Sequence, residues 1–239
     1  MKAVILSAGK GTRLLPYTNN MPKCLIEAGG MPILGHQLRA LEACGVHDIA
    51  IVTGYLHEQI EEFLCGRYTV IVNEVYEATN SIFSLWLARP FAEGHDLIVL
   101  NGDIVFDAEL LTPLLRCTSP TATLVNPNAL ICDGEMNVVI EAGKIIRFSK
   151  EIPASRASAK SLQITKFGSE DSKRLFERIS DLVEVGEVDK FPAFAYDVIL
   201  RTSTMVPVVC RGGLWHEIDT VDDLHEMRRL MLTIDSASS

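Results

Sequence analysis

Short apolar runs alternate with helix-like segments through the first half of the chain. Residues 3–6, 49–52 and 97–100 are continuous apolar runs, a pattern typical of strands that are buried on both faces of a parallel sheet. Between the first two runs, apolar residues recur at helical spacing over 33–44, and Gly45 follows as a helix stop. The pattern predicts an α/β fold with a doubly wound sheet.

Beyond Arg116 polar residues interrupt the apolar runs, and this pattern predicts antiparallel strands. Gly143 lies in the turn of a predicted hairpin. The elements predicted in this half are strands at 121–126 and 161–167, a hairpin at 136–149, and helices at 169–183 and 220–234. No repeat, low-complexity tract or linker divides the sequence, and we therefore expect one domain over residues 1–239.

Composition narrows the classes of partner. The chain has 22 Lys and Arg against 31 Asp and Glu, a formal charge of −9, and it lacks the basic clusters that nucleic-acid-binding domains carry. No apolar run approaches a membrane span, and a strand predicted from Ala3 leaves no room for a leader segment. The scattered cysteines indicate reduced thiols. We expect a cytoplasmic protein with small-molecule partners, and neither nucleic acid nor membrane among them.

A glycine-containing loop, SAGKGTR at residues 7–13, follows the first predicted strand. A Walker phosphate loop requires the pattern GxxxxGK[ST], which this sequence does not contain. A dinucleotide fingerprint requires a third glycine where Leu14 stands and an acid closing the second strand, where Thr53 stands. What remains is a Gly-x-Gly loop that ends in Arg13 and is followed by Lys23.

Such a loop suits a triphosphate. Glycines let backbone N–H groups approach phosphate oxygens, and Arg13 and Lys23 can neutralise the phosphate charge. The alternative is a tight strand-to-helix turn with two surface cations, which glycines alone do not exclude. The complete run, with Pro22 and Lys23 beyond the loop, favours phosphate binding.

Residues 1–34, MKAVILSAGKGTRLLPYTNNMPKCLIEAGGMPIL, resemble the signature of the nucleotidyltransferases that make NDP-sugars and CDP-alcohols. Ser7 and Cys24 depart from the residues most frequent at their positions, and neither change removes a charge or a glycine. The resemblance implies a GT-A-like nucleotidyltransferase fold, which is a Rossmann-like, doubly wound mixed sheet. A small antiparallel β/α part that binds the acceptor accompanies that sheet.

The resemblance also implies the reaction. A phosphate-bearing acceptor attacks the α-phosphorus of an NTP, and pyrophosphate leaves. The implied nucleotide-binding half covers 1–116, and the acceptor-binding half covers 117–239 and returns to the metal site at 217–219. A phosphate monoester is largely dianionic near neutral pH because its second pKa is about 6, so no dedicated base is required. The protein must chiefly position the reactants and neutralise charge.

Four residues are implied as catalytic. Arg13 would engage the triphosphate, Lys23 would lie between the α-phosphate and the acceptor phosphate, and Asp103 and Asp219 would hold Mg²⁺. Asp103 ends a predicted strand at the carboxyl edge of the sheet, where open α/β folds bind ligands, and hard oxygen ligands suit Mg²⁺. The alternative for Asp219 is the N-cap of the last helix. We expect Asp107 to cap the helix that follows it.

The segment ATNSIFSL at 78–85 is most similar to the small cytidylyltransferases that act on phosphocholine and aminoalkylphosphonates, which favours CTP as the donor. Asn80 and Ser81 could instead simply start a helix, and the two interpretations are compatible. The nucleotide contacts that the resemblance implies are Ala8, Gly9, Lys10, Gly11, Thr12, Arg13, Lys23, Thr79, Asn80 and Gly102.

Tyr196 and Asp197 fall where the phosphocholine-type enzymes place aromatic and acidic residues around a cationic head group. Aromatic faces and a carboxylate suit an ammonium group, so the resemblance implies an acceptor with a phosphate or phosphonate and an amine. The alternative places Phe191, Phe194 and Tyr196 in the core. A sugar 1-phosphate acceptor with GTP, UTP or dTTP as donor stays open.

A non-catalytic nucleotide-sugar sensor or assembly subunit is the alternative of another class. Arg13, Lys23, Asp103 and Asp219 together argue against it, because a pure binder has no evident need for all four. Similar enzymes are commonly homodimers, although no segment of this sequence specifies an interface.

Overall fold

The computed structural model describes residues 1–237, and in the last helix it describes side chains as far as residue 233. The strands are β1 (Lys2–Ser7), β2 (Asp48–Thr53), β3 (Thr69–Val72), β4 (Leu97–Asn101), β5 (Ile104–Phe106), β6 (Thr121–Asn126), β7 (Asn137–Glu141), β8 (Lys144–Ser149), β9 (Ala159–Phe167), β10 (Met205–Val209) and β11 (Trp215–Glu217). The α-helices are α1 (Ile33–Ala43), α2 (His57–Leu64), α3 (Ser81–Leu87), α4 (Arg89–Ala92), α5 (Ala108–Arg116), α6 (Ser169–Glu184), α7 (Asp197–Thr202) and α8 (Val221–Ala237).

Most of these strands form one mixed sheet in the spatial order β10-β6-β9-β4-β1-β2-β3, with the β7–β8 hairpin attached to β9. β1 pairs in parallel with β2 and β4, so that Lys2 lies opposite both Asp48 and Leu97. β9 runs antiparallel to β4 and β6. Because β1 and β4 are parallel neighbours, the loops at their carboxyl ends meet at one edge of the sheet.

Helices cover both faces of the parallel strands. Ala3 and Ile5 of β1 belong to the core shared with α1, α2 and α5, whereas Val4 and Leu6 belong to the core shared with α3 and α6. All four side chains are buried, which explains why the run is continuously apolar. The prediction of a doubly wound α/β fold is confirmed.

The second half contributes the antiparallel part. β7 and β8 form the predicted hairpin, and Gly143 takes a φ of +74° in its turn. β9 begins at Ala159, two residues before the predicted start. The short antiparallel pair of β5 and β11 was not predicted. It brings residues 215–217 beside the end of β4, and the amide of Ile218 donates to the carbonyl of Asp103 at 2.9 Å.

The prediction that Asp107 caps the helix that follows it is also confirmed. The carboxylate of Asp107 accepts a hydrogen bond from the amide of Leu110 at 3.0 Å and so caps α5. All six cysteines are free thiols. Among the helices of residues 1–237, none combines the length and apolarity needed to span a membrane.

Candidate active site

The loops that follow β1 and β4 surround a cavity of about 320 Å³. Gly11 permits the first loop, because its φ of +63° is left-handed and a Cβ there would lie 3.0 Å from Cβ of Lys23. Gly102 permits the second, because a Cβ would collide with the Ser7 hydroxyl. The predicted residues that line this cavity are Gly9, Gly11, Thr12, Arg13, Lys23, Asn80, Gly102, Asp103 and Asp219.

Three predicted nucleotide contacts lie outside the lining of this cavity. Ala8 is buried, and its carbonyl accepts from the amide of Tyr55 at 3.0 Å. Lys10 stands over the ring of Tyr55, with Nζ 5.4 Å from the centroid. The Thr79 hydroxyl donates to the carbonyl of Val75 at 3.0 Å. All three make contacts within or between the loops beside the cavity, and their contact with a nucleotide stays a prediction.

Asn80 lines the cavity and also starts a helix. Its Oδ1 accepts from the amide of Ser81 at 2.7 Å, which makes Asn80 the N-cap of α3. The backbone amide of Asn80 donates to the carbonyl of Val188 at 2.8 Å. The capping role and the position at the cavity therefore hold together.

The Lys23 ammonium lies between two carboxylates. Its Nζ is 2.9 Å from Oδ2 of Asp103 and 2.7 Å from Oδ1 of Asp219. Arg13 approaches the same Asp219 oxygen to 3.0 Å. The Lys23 side chain is 14% exposed, whereas that of Arg13 is 66% exposed. The four residues predicted to be catalytic are thus brought together, although they lie far apart in the sequence.

Mutual charge stabilisation shifts the pKa values of Lys23 and Asp219. Burial alone would lower the pKa of Lys23, but the charges of Asp103 and Asp219 outweigh it and raise that pKa. Burial would raise the pKa of Asp219, but Lys23 and Arg13 outweigh it and lower that pKa. Both shifts favour the ionised forms, so the two carboxylates hold a cation in the structure.

A third carboxylate, Glu217 on β11, joins the group. One oxygen each of Asp103, Glu217 and Asp219 lies within 4.8 Å of the others. Gln163 donates to Glu217 at 2.6 Å and accepts from Asn101 at 2.7 Å. Burial, followed by the charges of the two aspartates, raises the pKa of Glu217 to about 7. Glu217 therefore takes up a proton in the folded protein much more readily than an ordinary glutamate does.

Asp219 does not cap α8. The carboxylate of Asp223 accepts from the amide of Thr220 at 2.7 Å, and the Thr220 hydroxyl accepts from the amide of Asp223 at 3.3 Å. This reciprocal pair caps the helix. The Asp219 carboxylate is consequently left to Lys23 and Arg13, and the N-cap alternative for Asp219 is not the observed arrangement.

The expected aromatic contact of Tyr196 with an acceptor is not the arrangement observed. Tyr196 is 5% exposed, and its ring packs edge-on against Phe148 and Phe167 with centroids 5.2 Å away. Burial raises the pKa of its hydroxyl well above the usual value. Phe191 and Phe194, by contrast, are exposed, so the core alternative is correct for Tyr196 and not for them.

The expected pairing of Asp197 with an amine also differs from the structure. Its Oδ2 lies 2.7 Å from a guanidinium nitrogen of Arg201, and its Oδ1 lies 3.3 Å from Nε of Arg178. Both oxygens therefore already have cationic partners. The sequence pattern placed Asp197 near an acceptor but could not show the arginine of α6, which comes from a distant segment.

Two residues at the site, Glu217 and Gln163, were not predicted from the sequence, and a third, Phe191, was considered only as a core residue. Glu217 stands two positions before Asp219, and its alternation with that aspartate in WHEID was the available signal. Gln163 reaches Glu217 from a bulge in β9, where its φ is +57°. Phe191 lines both the cavity described above and a larger neighbouring one. No local pattern distinguishes Gln163 in the sequence.

Known proteins resemble this chain in sequence. CTP:phosphoglutamine cytidylyltransferase from Campylobacter jejuni is 32% identical over 134 residues, which cover 53% of this chain and 53% of that protein. The chain thus spans about half the length of that relative. 2-Aminoethylphosphonate cytidylyltransferase from Lancefieldella rimae is 30% identical over 185 residues, which cover 75% of this chain and 72% of that protein.

The fold is shared with solved nucleotidyltransferases. CTP:phosphocholine cytidylyltransferase from Streptococcus pneumoniae superposes with a TM-score of 0.78 at 21% identity, over 96% of this chain and 98% of the other. The Rossmann-like mixed sheet implied by residues 1–34 is confirmed. A family model described as MobA-like NTP transferase domain matches residues 3–235. The chain belongs to the MobA-like NTP transferase domain family.

Proposed function

We propose that this protein is a nucleotidyltransferase that joins an NTP, preferentially CTP, to a small acceptor bearing a phosphate or phosphonate and releases pyrophosphate. The observation that carries the proposal is the cluster of Lys23, Asp103 and Asp219 at the glycine loop, with both carboxylates within 3 Å of Nζ. A phosphate dianion attacking a triphosphate needs its charge neutralised at this position.

The cations have separate roles in this proposal. Arg13 is largely exposed at the mouth of the loop and binds the triphosphate tail. Lys23 is nearly buried at the carboxylates and holds the α-phosphate against the incoming acceptor. Backbone N–H groups of the loop at Gly9 and Gly11 complete the phosphate cradle. The acceptor phosphate is already ionised, so no residue has to remove a proton from it.

The acidic cluster fits a divalent cation. Oδ1 of Asp103 is buried and has no hydrogen-bond partner among the described residues, so it is available as a ligand. In the proposal Asp103 and Asp219 hold Mg²⁺, and Glu217 lies beside them. Carboxylate oxygens are the ligands that Mg²⁺ prefers. When bound, the ion supplies positive charge to the phosphate oxygens.

The donor preference rests on the relatives and on one segment. The two relatives compared above are named as cytidylyltransferases. The segment 78–85, which favours CTP by its resemblance, supplies Asn80 and Ser81 to the lining of the donor cavity. We propose that residues 1–116 bind this nucleotide and that residues 117–239 bind the acceptor and return Asp219 to the metal.

The acceptor site is proposed to lie beyond Phe191. This side chain lines the donor cavity of about 320 Å³ and a second cavity of about 760 Å³, a volume in the range of ligand pockets. A phosphate held beside Lys23 could extend its tail past Phe191 into the larger cavity. We keep the expectation of an amine on this tail, but we do not assign it to Tyr196 or Asp197.

The test is pyrophosphate release with each of the four NTPs, Mg²⁺, and three acceptors: 2-aminoethylphosphonate, O-phosphoethanolamine and glucose 1-phosphate. We expect release with CTP and with a phosphate or phosphonate that is not a sugar. Preference for GTP, UTP or dTTP would contradict the donor assignment, and exclusive use of glucose 1-phosphate would contradict the acceptor class. Nucleotide binding without release in any mixture would favour the sensor.

A further inference from the structure

The larger cavity lies between β8 on one side and the segment 189–201 with α6 on the other. Phe191 forms its border with the donor cavity. Arg13 and Lys23 line only the donor cavity, whereas Arg178 and Arg201 line only the larger one. The two pairs of cations therefore serve different parts of any molecule that spans both cavities.

The charged lining of the larger cavity is mainly basic. The cationic side chains are Arg147, Lys150, Arg178, Lys190 and Arg201, against three acidic ones. The excess is notable in a chain whose formal charge is −9. Among the described residues Arg147 and Lys150 have no acidic partner within ion-pair distance, so part of the basic charge is unpaired.

The aromatic faces of this cavity already hold cations. Nζ of Lys150 lies 4.3 Å from the centroid of Phe191, and Nζ of Lys190 lies 5.9 Å from that of Phe194. An ammonium group that stacked on either of these two rings would have to displace the lysine already there. The aromatic residues that could have recognised a quaternary amine are thus not open to one.

The carboxylate of Asp197 in this cavity also forms ion pairs with arginines. Asp197 lies 2.7 Å from Arg201 and 3.3 Å from Arg178. Since one carboxylate is shared by two guanidinium groups, the trio keeps one positive charge. Guanidinium groups offer several donors in a planar fork that matches a carboxylate.

We infer that the acceptor carries a carboxylate at the end remote from its reacting phosphate, and that Arg178 and Arg201 select for this group. The inference rests on the proposed function, since it takes the larger cavity as the acceptor site. Asp197 shares its carboxylate with both arginines and so limits their attraction for the carboxylate of the acceptor. Lys150 stands nearer the donor side, where its charge helps to lower the pKa of Asp219.

The test uses a pair of acceptors that differ only in the carboxylate. O-phosphoserine is O-phosphoethanolamine with one carboxylate added, and phosphocholine serves as the quaternary comparison. Their affinities for the full chain are measured by calorimetry with a non-hydrolysable CTP analogue and Mg²⁺, so that turnover is not needed. We expect O-phosphoserine to bind at least tenfold more tightly than O-phosphoethanolamine, and phosphocholine to bind most weakly.

Variants that are expected to change the preference for O-phosphoserine in opposite directions provide a second test. The Arg201 side chain is 74% exposed, so Arg201→Gln will leave the fold intact. Arg201→Gln and Arg178→Gln should each reduce the preference for O-phosphoserine several-fold. Asp197→Asn should increase that preference, because it releases the two arginines. Arg116→Gln, an exposed arginine at the end of α5 outside the cavity, is the matched control and should change nothing.

The outcomes separate this inference from the proposed function. Equal affinities for the matched pair, no detectable binding of O-phosphoserine, or a loss of its binding in Asp197→Asn would overturn the inference. Pyrophosphate release from CTP together with equal affinities would overturn the inference alone. A clear preference for O-phosphoserine without release from any NTP would overturn the proposed function alone.

Discussion

Replacing Lys23 with methionine should destabilise the metal-free protein and make its stability respond to Mg²⁺. In the structure the Lys23 ammonium is the cation nearest both carboxylates, at 2.9 Å from Asp103 and 2.7 Å from Asp219. Methionine keeps much of the side-chain length and removes the charge. The two aspartates would then face each other, with Arg13 at Asp219 as their remaining basic partner.

The size of the effect follows from burial. Removing one partner of a buried ion pair costs about 3–5 kcal/mol. Asp103 and Asp219 are 22% and 24% exposed at their side chains, and Arg13 remains, so we expect the lower end, about 3 kcal/mol. For a chain of this size that corresponds to a decrease in Tm of roughly 6–12 °C. Mg²⁺ at about 100 times its Kd would restore about 2.7 kcal/mol.

The assay is thermal unfolding of wild type and Lys23→Met with and without Mg²⁺, in the absence of nucleotide. Lys190→Met is the control, because Lys190 also contacts two acids, Glu187 and Asp189, but on the surface. Its Tm should change little, and its response to Mg²⁺ should match that of wild type. If Lys23→Met were as stable as wild type, or if Mg²⁺ left its Tm unchanged, the reasoning on the cation site would be refuted.

Three further predictions concern the same cluster. Asp103→Asn and Asp219→Asn should each lower the rate of pyrophosphate release by about 100-fold or more, while circular dichroism shows an intact fold; a near-normal rate would remove that residue from the site. Arg13→Gln should raise the KM for the NTP more than it lowers kcat, and steady-state kinetics showing the reverse would contradict its assignment to the triphosphate. Glu217 has a pKa raised from 4.5 to about 7, so between these pH values the folded state binds more protons than the unfolded state and stability falls as pH rises. Glu217→Gln should therefore raise the metal-free Tm above pH 7 and change it little near pH 5, and an unchanged Tm at pH 8 would contradict this sign.

Local patterns predicted the parts of the site that depend on local geometry. The loop at 7–13 needs a left-handed glycine at Gly11, which is visible in the sequence. A strand buried on both faces has to be continuously apolar, so the run before Asp103 revealed that this residue ends at the sheet edge. The resemblance, rather than any local rule, implied that Arg13, Lys23, Asp103 and Asp219 share one site, and the ion pairs among them were not predicted.

Distant pairings explain what was missed. Glu217 reaches the cluster because β11 pairs with β5 across more than 100 residues, and three-residue strands carry too weak a pattern to be predicted. Gln163 supports Glu217 only because a bulge gives it a φ of +57°, which no sequence rule favours at a glutamine. Asp197 seemed suited to an amine until the fold placed Arg178 of α6 against it.

The most direct test of the account is ³¹P NMR of a reaction containing the protein, CTP, Mg²⁺ and O-phosphoserine. We expect the triphosphate signals to decay while those of pyrophosphate and of a new diphosphate linkage between CMP and the acceptor grow together. We also expect that neither product forms with Asp103→Asn. Unchanged CTP with this and every other phosphate or phosphonate acceptor, under conditions in which the protein is folded and binds CTP, would contradict the central claim of nucleotidyl transfer.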